Sequence, residues 1–241
     1  MLEVKLESEN TICGSLYFDQ ETMRSFVRLA PSVISISERF QPERRRVETF
    51  IEDVFARAYG AKIPKHYPTL MSVRNAAGNI LAAVGFRSAA QGQLFLEQYI
   101  DGPIEAALSD AFSEDVSRKE IVEIGSLASA GSGASMFLII ALVAYLKQQG
   151  FRFPVVTATR TLRAGFRFLG IKAQDLAPAD PAALTEGHNA WGTYYDTEPR
   201  VLTGTLVETH KRLEHYIPGA QNQNLDQMFT RLHPECVRGL S

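Results

Sequence analysis

Cysteine is nearly absent. Cys13 and Cys236 stand near opposite ends of a 241-residue chain, with no metal-ligand spacing and no pattern that supports a bridge between them. Neither sign of charge dominates. The net charge of −2 argues against a chain whose main partner is nucleic acid. A long hydrophobic run is also missing. The longest apolar stretch, Ala134 to Leu146, falls short of the roughly 20 residues that a bilayer span needs. The opening MLEVKLESEN carries acidic residues where a secretory leader places a basic and then an apolar run. There is no internal repeat and no low-complexity tract. These absences point to a soluble, cytoplasmic protein. Its 45% apolar content suffices for a sizeable core, either one large domain or a core with added segments.

What is there centres on Glu123 to Gly150. Ile121, Val122 and Ile124 form a β-branched run. Ser129-Ala130-Gly131-Ser132-Gly133-Ala134 supplies small residues and a helix cap, and Met136 through Leu146 is apolar nearly all round. This reads as strand, glycine-rich turn and buried helix. Backbone N–H groups at such a turn, together with the helix dipole, favour an anion such as a phosphate. The same residues also suit a tight turn with a close-packed helix start, and both readings stand.

Elsewhere the patterns are ordinary. Leu2, Val4 and Leu6 alternate with charges as a short strand. Residues 8 to 40 are weakly patterned, with a possible helix over Met23 to Leu29 and a possible strand over Val33 to Ile36. Pro42-Glu43 opens an amphipathic helix to about Tyr59, ended by Gly60, with Asp53 and Arg57 able to pair on its outer face. Arg44-Arg45-Arg46 sits at its start, where the dipole disfavours cations; it is either a solvated charge run or the mark of an anionic partner. Thr69 to Arg74 and Ile80 to Arg87 read as strands around the turn Asn75 to Asn79, and Leu94 to Ile100 as a third strand. Pro103 starts a helix through about Phe112. Phe153 to Thr159 reads as a buried strand and Leu162 to Leu169 as a short helix. Residues 175 to 200 look like a long ordered loop. Val201 to Val207 reads as a last strand or the start of a helix through Tyr216, and the tail from Pro218 is polar, although Met228, Phe229 and Leu232 could dock. This order gives an α/β fold, a central mixed β-sheet flanked by helices. Ligands in such sheets prefer strand carboxyl ends beside helix N-termini.

The order resembles the GNAT acyltransferases, in which the donor's pyrophosphate sits on the turn between a central strand and the next helix. Ala128-Ser129-Ala130-Gly131-Ser132-Gly133 has both glycines of that signature, but Ala128 replaces its first polar residue. A more specific resemblance covers about residues 44 to 207. RRRVETFIEDVFARAYGA, FLEQYIDGPIE, IVEIGSLAS, TATRTLRAGFRFLG and WGTYYDTEPRV look like the thermostable hemolysin family of bacterial proteins. That resemblance implies an N-terminal extension over 1–43, a GNAT-like core over 44–207 and a C-terminal helical tail over 208–241. The core is also similar to acyl-homoserine lactone synthases. Arg87 matches their strand-ending arginine and Glu123 their central-strand glutamate. Ser126 stands where they place a further arginine, which weighs against S-adenosylmethionine as acceptor.

The resemblance implies acyl transfer from a thioester to a small amine, possibly an amino acid. The donor is acyl-CoA or acyl-phosphopantetheine on an acyl-carrier protein. Such chemistry needs a base, a polarised carbonyl and an acid for the thiolate. Glu123 and Glu97, on neighbouring predicted strands, are the carboxylate candidates; burial raises a carboxylate's pKa toward that of a useful base. Glu123 reads equally well as an ion-pair partner of Arg87. Glu97 and Tyr99 share a strand face by alternation, so that Glu97 could orient the amine. Gly125, Ser129, Gly131, Ser132 and Gly133 are the candidate donor-binding residues, and Arg87, Tyr99 and Trp191 the candidate substrate-binding ones. Tyr194, in the cluster Trp191, Tyr194, Tyr195 and Asp196, is the candidate acid or else part of a packed corner. Arg160, Arg163 and Arg167 share a helix face that suits an acidic carrier or simply solvent. The five histidines are scattered without metal-ligand spacing. The rival reading is a membrane-active hemolysin with a catalytically idle GNAT-like core, and the lytic name leaves membrane contact open.

Overall fold

The computed structural model describes residues 2–8, 11–18, 21, 31–39, 41, 43–63, 65–131, 133–185 and 187–213. The possible helix at Met23 to Leu29, Ser132, and the tail from Pro218 lie outside the described residues.

Among the described residues nine strands make one mixed sheet: β1 (Leu2–Ser8), β2 (Thr11–Phe18), β3 (Pro31–Ser37), β4 (Thr69–Asn75), β5 (Ile80–Ser88), β6 (Ile121–Ser129), β7 (Phe153–Ala158), β8 (Gln174–Pro178) and β9 (Arg200–Thr203). Their order is β2-β1-β3-β4-β5-β6-β7-β9-β8. β1 with β3 and β6 with β7 pair in parallel, and the other neighbours are antiparallel. Five α-helices are described: α1 (Arg44–Tyr59), α2 (Ile104–Phe112), α3 (Ala134–Gln148), α4 (Arg160–Phe168) and α5 (Leu206–Leu213).

Strand alternation sends successive side chains to opposite layers. Met71, Val73, Val84, Phe86 and Val122 pack with α3 and α5. Leu70, Ala83 and Ala128 pack with Val47, Ile51 and Phe55 of α1. Ile121, Phe153 and Val155 pack with Ile104 and Leu108 of α2. Helix α3 is buried continuously from Phe137 to Leu146, as its apolar circumference requires. The helix that ends at Gly60 does so through a left-handed glycine, φ 67°, whose N–H returns to the carbonyls of Ala56 and Phe55.

Several expectations are corrected. Leu94 to Ile100 is not a third strand. It is a 3₁₀ turn over Phe95–Tyr99, because β5 pairs directly with β6, with Arg87 opposite Glu123, and no strand fits between them. Residues 175 to 200 hold the edge strand β8 as well as loop, since β9 offers it a ladder. The segment from Val201 divides into β9 and α5 rather than choosing one. Arg57 donates to the Asp53 carbonyl, one turn back along its own helix, and not to the carboxylate. Arg44 is neither solvated nor bound to an outside anion. It is buried and donates to the carbonyls of Tyr67 and Pro68, both at 2.6 Å, and to Glu48 at 2.7 Å.

Candidate functional site

The site is built where β6 parts from β7. The two strands pair only from Ile121–Phe153 to Ile124–Val156. Past that point β6 bulges: Gly85 faces Gly125 and Ala83 faces Ala128, so that Ser126 and Leu127 stand opposite Val84 alone. Ser126 takes a left-handed φ of 52°. An extra residue of this kind bends the strand; the β5 ladder resumes at Ala83–Ala128, whereas the β7 ladder stops at Ile124–Val156. β7 meanwhile continues against β9. Between the diverging strands lies a cavity of about 380 Å³, lined by Ile124 to Leu127 and by residues from both faces of the sheet. Phe55, Tyr59 and Tyr194 close it on one side. Leu138, Ile139, Leu142 and Val143 of α3 and Leu162 and Phe166 of α4 line it on the other.

Of the residues singled out from sequence, Gly125, Ser129 and Tyr194 line this cavity, while Glu123, Glu97, Arg87, Tyr99 and Trp191 lie outside its lining. Glu123 is 1% exposed. Its carboxylate accepts from Arg87 Nε at 2.9 Å, from Phe95 N–H at 3.1 Å and from Leu96 N–H at 2.9 Å. Burial pushes its pKa up, and Arg87 and the two amides pull it part of the way back. Arg87 also donates to the Gln93 carbonyl. Together they tie the 93–96 loop to the sheet.

Glu97, displaced from the expected strand, works in the same manner. Its carboxylate accepts from Ile104 N–H at 2.9 Å and pairs with Arg118 at 2.7 Å. Burial raises its pKa, but the bonds from Arg118, Ile104 and Leu94 outweigh this and hold it below the ordinary value. The turn around Phe95–Tyr99 is therefore fixed by its own glutamate.

The aromatic residues form one packed wall. Trp191 meets Phe95 and Tyr194 with ring centroids 5.7 and 5.3 Å apart, and the Tyr99 and Tyr195 hydroxyls are 2.6 Å apart. Burial pushes both Tyr99 and Tyr194 well above the usual tyrosine range. Among the described residues the Tyr194 hydroxyl makes one long contact, 3.5 Å, to the Thr157 carbonyl. Loop 190–193 is clamped to the end of α1, where Thr193 N–H meets the Tyr59 carbonyl at 2.9 Å.

The turn before α3 carries left-handed glycines, Gly131 at φ 95° and Gly133, the helix N-cap, at φ 79°. Gly131 N–H donates to Ser129 Oγ at 3.1 Å. Of the three arginines on α4, Arg160 pairs with the Glu198 carboxylate at 2.8 Å and Arg163 donates to the Glu198 carbonyl at 3.0 Å. Two of the three thus face their own chain.

Tyr67 is the residue that sequence reasoning passed over. Its ring crosses both mid-strand glycines, so that a Cβ on Gly85 or on Gly125 would collide with it, and the Glu123 charge acts on its hydroxyl. Burial, then the charge of Glu123, push its pKa well up. The only sequence signal was indirect: glycine inside a strand marks a close approach.

Comparison with known proteins follows this geometry. The family model described as thermostable hemolysin matches residues 37–210. No curated protein sequence matches the chain. Among solved structures, apo TofI aligns with a TM-score of 0.53 at 13% identity, covering 75% of this chain and 95% of that one. The AHL synthase LasI aligns with a TM-score of 0.52 at 14% identity, covering 80% and 98%. The CoA-dependent acyl-homoserine lactone synthase BjaI, with SAM and isopentyl-CoA, aligns with a TM-score of 0.50 at 13% identity, covering 78% and 90%. The fold is a GNAT-like mixed sheet flanked by helices.

Proposed function

The chain belongs to the thermostable hemolysin family, and from that premise we propose that it is an acyltransferase that moves an acyl group from a thioester to a small amine, amino acids being among the candidate acceptors. The donor is an acyl-CoA or an acyl-phosphopantetheine arm on a carrier protein. The observation that carries this reading is the edge of β6 from Gly125 to Leu127. Among the described residues it has no ladder partner on its β7 side, and it fronts the cavity between the strands. A strand edge of this kind offers backbone N–H and C=O groups to an extended, amide-containing arm.

In the reaction the amine nitrogen bonds to the thioester carbon, the C–S bond breaks, and the amine proton ends on the departing sulfur. Backbone N–H groups beyond Gly125 polarise the carbonyl. Tyr194 keeps its proton because burial holds its pKa high, so it serves the developing thiolate as a hydrogen-bond donor. Glu123 acts by position. A carboxylate has about four acceptor sites, and Arg87, Phe95 and Leu96 take three of them.

Mass spectrometry after incubation with a panel of acyl thioesters and amino acids tests the proposal. The expected result is an N-acyl product formed together with free thiol. A panel with no acylated amine, on folded protein, overturns it. The lytic alternative rests on the family's name. Among the described residues no helix is long and apolar enough to cross a membrane. Liposome leakage in the absence of any thioester would favour direct lysis.

A further inference from the structure

We infer that the outer edge of β2 is a self-association surface. A second copy of this chain pairs its own β2 there, antiparallel and about a two-fold axis, so that one sheet runs through both copies. The inference does not rest on the acyltransferase reading. β1 and β2 lie outside residues 37–210, the part that the family model matches.

The sheet ends in two strands. Among the described residues β2 pairs with β1 alone and β8 with β9 alone. An edge strand presents a row of unpaired N–H and C=O groups, and natural proteins blunt such rows with short strands, charge, proline or bulges. β8 is blunted in every one of these ways. QDLAP is five residues long, with Asp175 exposed and Pro178 at its end, and its register shifts between Asp175 and Ala177. β2, TICGSLYF, is eight residues long and has neither charge nor proline. Thr11, Ile12, Tyr17 and Phe18 are types that favour strands, and Ile12 is 53% exposed. Its one irregularity is the extra residue Cys13, since Glu7 faces Ile12 and Leu6 faces Gly14. Gly14 to Phe18 stay in one-to-one register with β1. Phe18 packs on Phe137 of α3 with ring centroids 4.4 Å apart, so the edge is fastened to the core and needs little ordering before it pairs.

A row of backbone groups selects an extended strand. Symmetry and charge make that strand a second β2. In an antiparallel two-fold pair the strand meets itself, and each contact is made twice. Like charges directly opposite destabilise such a pair, and β2 has no charge to set against its own. The charges at this end of the sheet stand one strand further in, on β1, where Glu3, Lys5 and Glu7 alternate in sign. The net charge of −2 sets up little long-range repulsion between copies. With β8 blunted, the paired sheet offers no second free edge, and the assembly closes at two copies.

The test is sedimentation equilibrium of the full chain from about 1 to about 100 µM, a range that spans interfaces of modest strength. The expected result is a monomer–dimer equilibrium without larger species. Ile12→Lys/Ser15→Lys gives β2 the charges that edges ordinarily carry. Ile12 is exposed, and the new side chain at position 15 sits beside Glu3, which Ser15 Oγ meets at 2.7 Å, so the fold should be kept; melting curves check this. The variant's dimer should dissociate about tenfold more readily or worse. Gln174→Lys, the same charge on β8, should leave dissociation as in wild type. Hydrogen exchange of the wild type needs no variant. In concentrated protein the amides of 11–18 should slow by about tenfold relative to dilute protein, and those of 174–178 should not. A wild type that stays monomeric, whether its own tail from Pro218 or another protein covers β2, overturns the inference. So do larger species, a dimer that ignores the double substitution, or one that protects 174–178 in place of 11–18.

Discussion

Tyr67 lies on Gly125 so closely that the phenol occupies the place of the Cβ that any other residue would carry there. The same ring covers Gly85 on the neighbouring strand, where a Cβ would come within 2.7 Å. Arg44 holds the Tyr67 carbonyl from α1 at 2.6 Å. One tyrosine therefore joins helix α1 to the two central strands. Gly125→Ala should push the ring off the sheet and destabilise the protein by about 1–3 kcal/mol, the usual effect of overpacking. Tyr67→Ala also destabilises. The two losses should not add, because each removes the same contact. A double-mutant cycle by urea unfolding measures this, and additive effects would show that the ring and the glycine are independent.

Glu123 and Glu97 should respond to acid with opposite signs. Glu97 has a folded pKa below its ordinary 4.5. Its contribution to stability is present above 4.5 and is lost as pH falls through the lower folded value. Glu123 has a folded pKa above 4.5. In the window above 4.5 the folded state binds the extra proton, so its contribution to stability grows as pH falls through the folded value. Unfolding of wild type, Glu97→Gln and Glu123→Gln from neutral pH to pH ~3 tests this. The stability gap between wild type and Glu97→Gln should shrink on acidification, whereas the gap to Glu123→Gln should move in favour of wild type. Parallel pH profiles for the two variants would contradict the assignment.

Glu123→Gln also tests what the carboxylate does in turnover. With Arg87, Phe95 and Leu96 all donating to it, its loss should lower stability by about 3 kcal/mol, as when one partner of a buried ion pair is removed. Turnover per folded molecule should fall by less than about tenfold, below the usual general-base effect. A hundredfold fall with unchanged melting temperature would make Glu123 the base.

Tyr194→Phe keeps the ring contacts with Trp191 and Tyr59, both with centroids 5.3 Å apart, and removes the hydroxyl. A hydrogen bond made only as the thiolate develops should cost about a hundredfold in kcat with little change in KM. Thiol release in steady state measures both. If kcat is unaffected, Tyr194 is wall and nothing more.

Gly133 caps α3 in a left-handed conformation, φ 79°. Gly133→Val should lower stability by about 1–2 kcal/mol, because a side chain disfavours that region, and Gly133→Asn should lower it less. Donor affinity measured by calorimetry should fall for Val more than for Asn if the turn's backbone meets the donor's phosphate. Equal affinities in both variants would remove the turn from the site.

Sequence by itself determined the parts whose cause is local. The apolar circumference of Phe137 to Leu146 admits little but a buried helix, and the glycines before it give the preceding strand its stop. Asn75 to Asn79 makes a hairpin turn whatever surrounds it. The period of Val47, Ile51 and Phe55 makes α1 amphipathic. The ordered run of family-like segments carried the identification of the GNAT-like core. Tertiary structure alone decided the rest. Arg87 and Glu123 are 36 residues apart, and only their pairing across β5 and β6 shows that Leu94 to Ile100 has no sheet to join and must turn. Glu97 then serves its own turn, and β6 takes an extra residue at Ser126 where its ladder with β7 has already stopped. Tyr67 comes from a loop with no pattern of its own, and its place is set by two glycines on strands that meet only in the fold. Periodicity and propensity record what a residue needs from its near neighbours along the chain. Ladder register, bulges and the space between diverging strands depend on residues brought together from far apart, and no local signal records them.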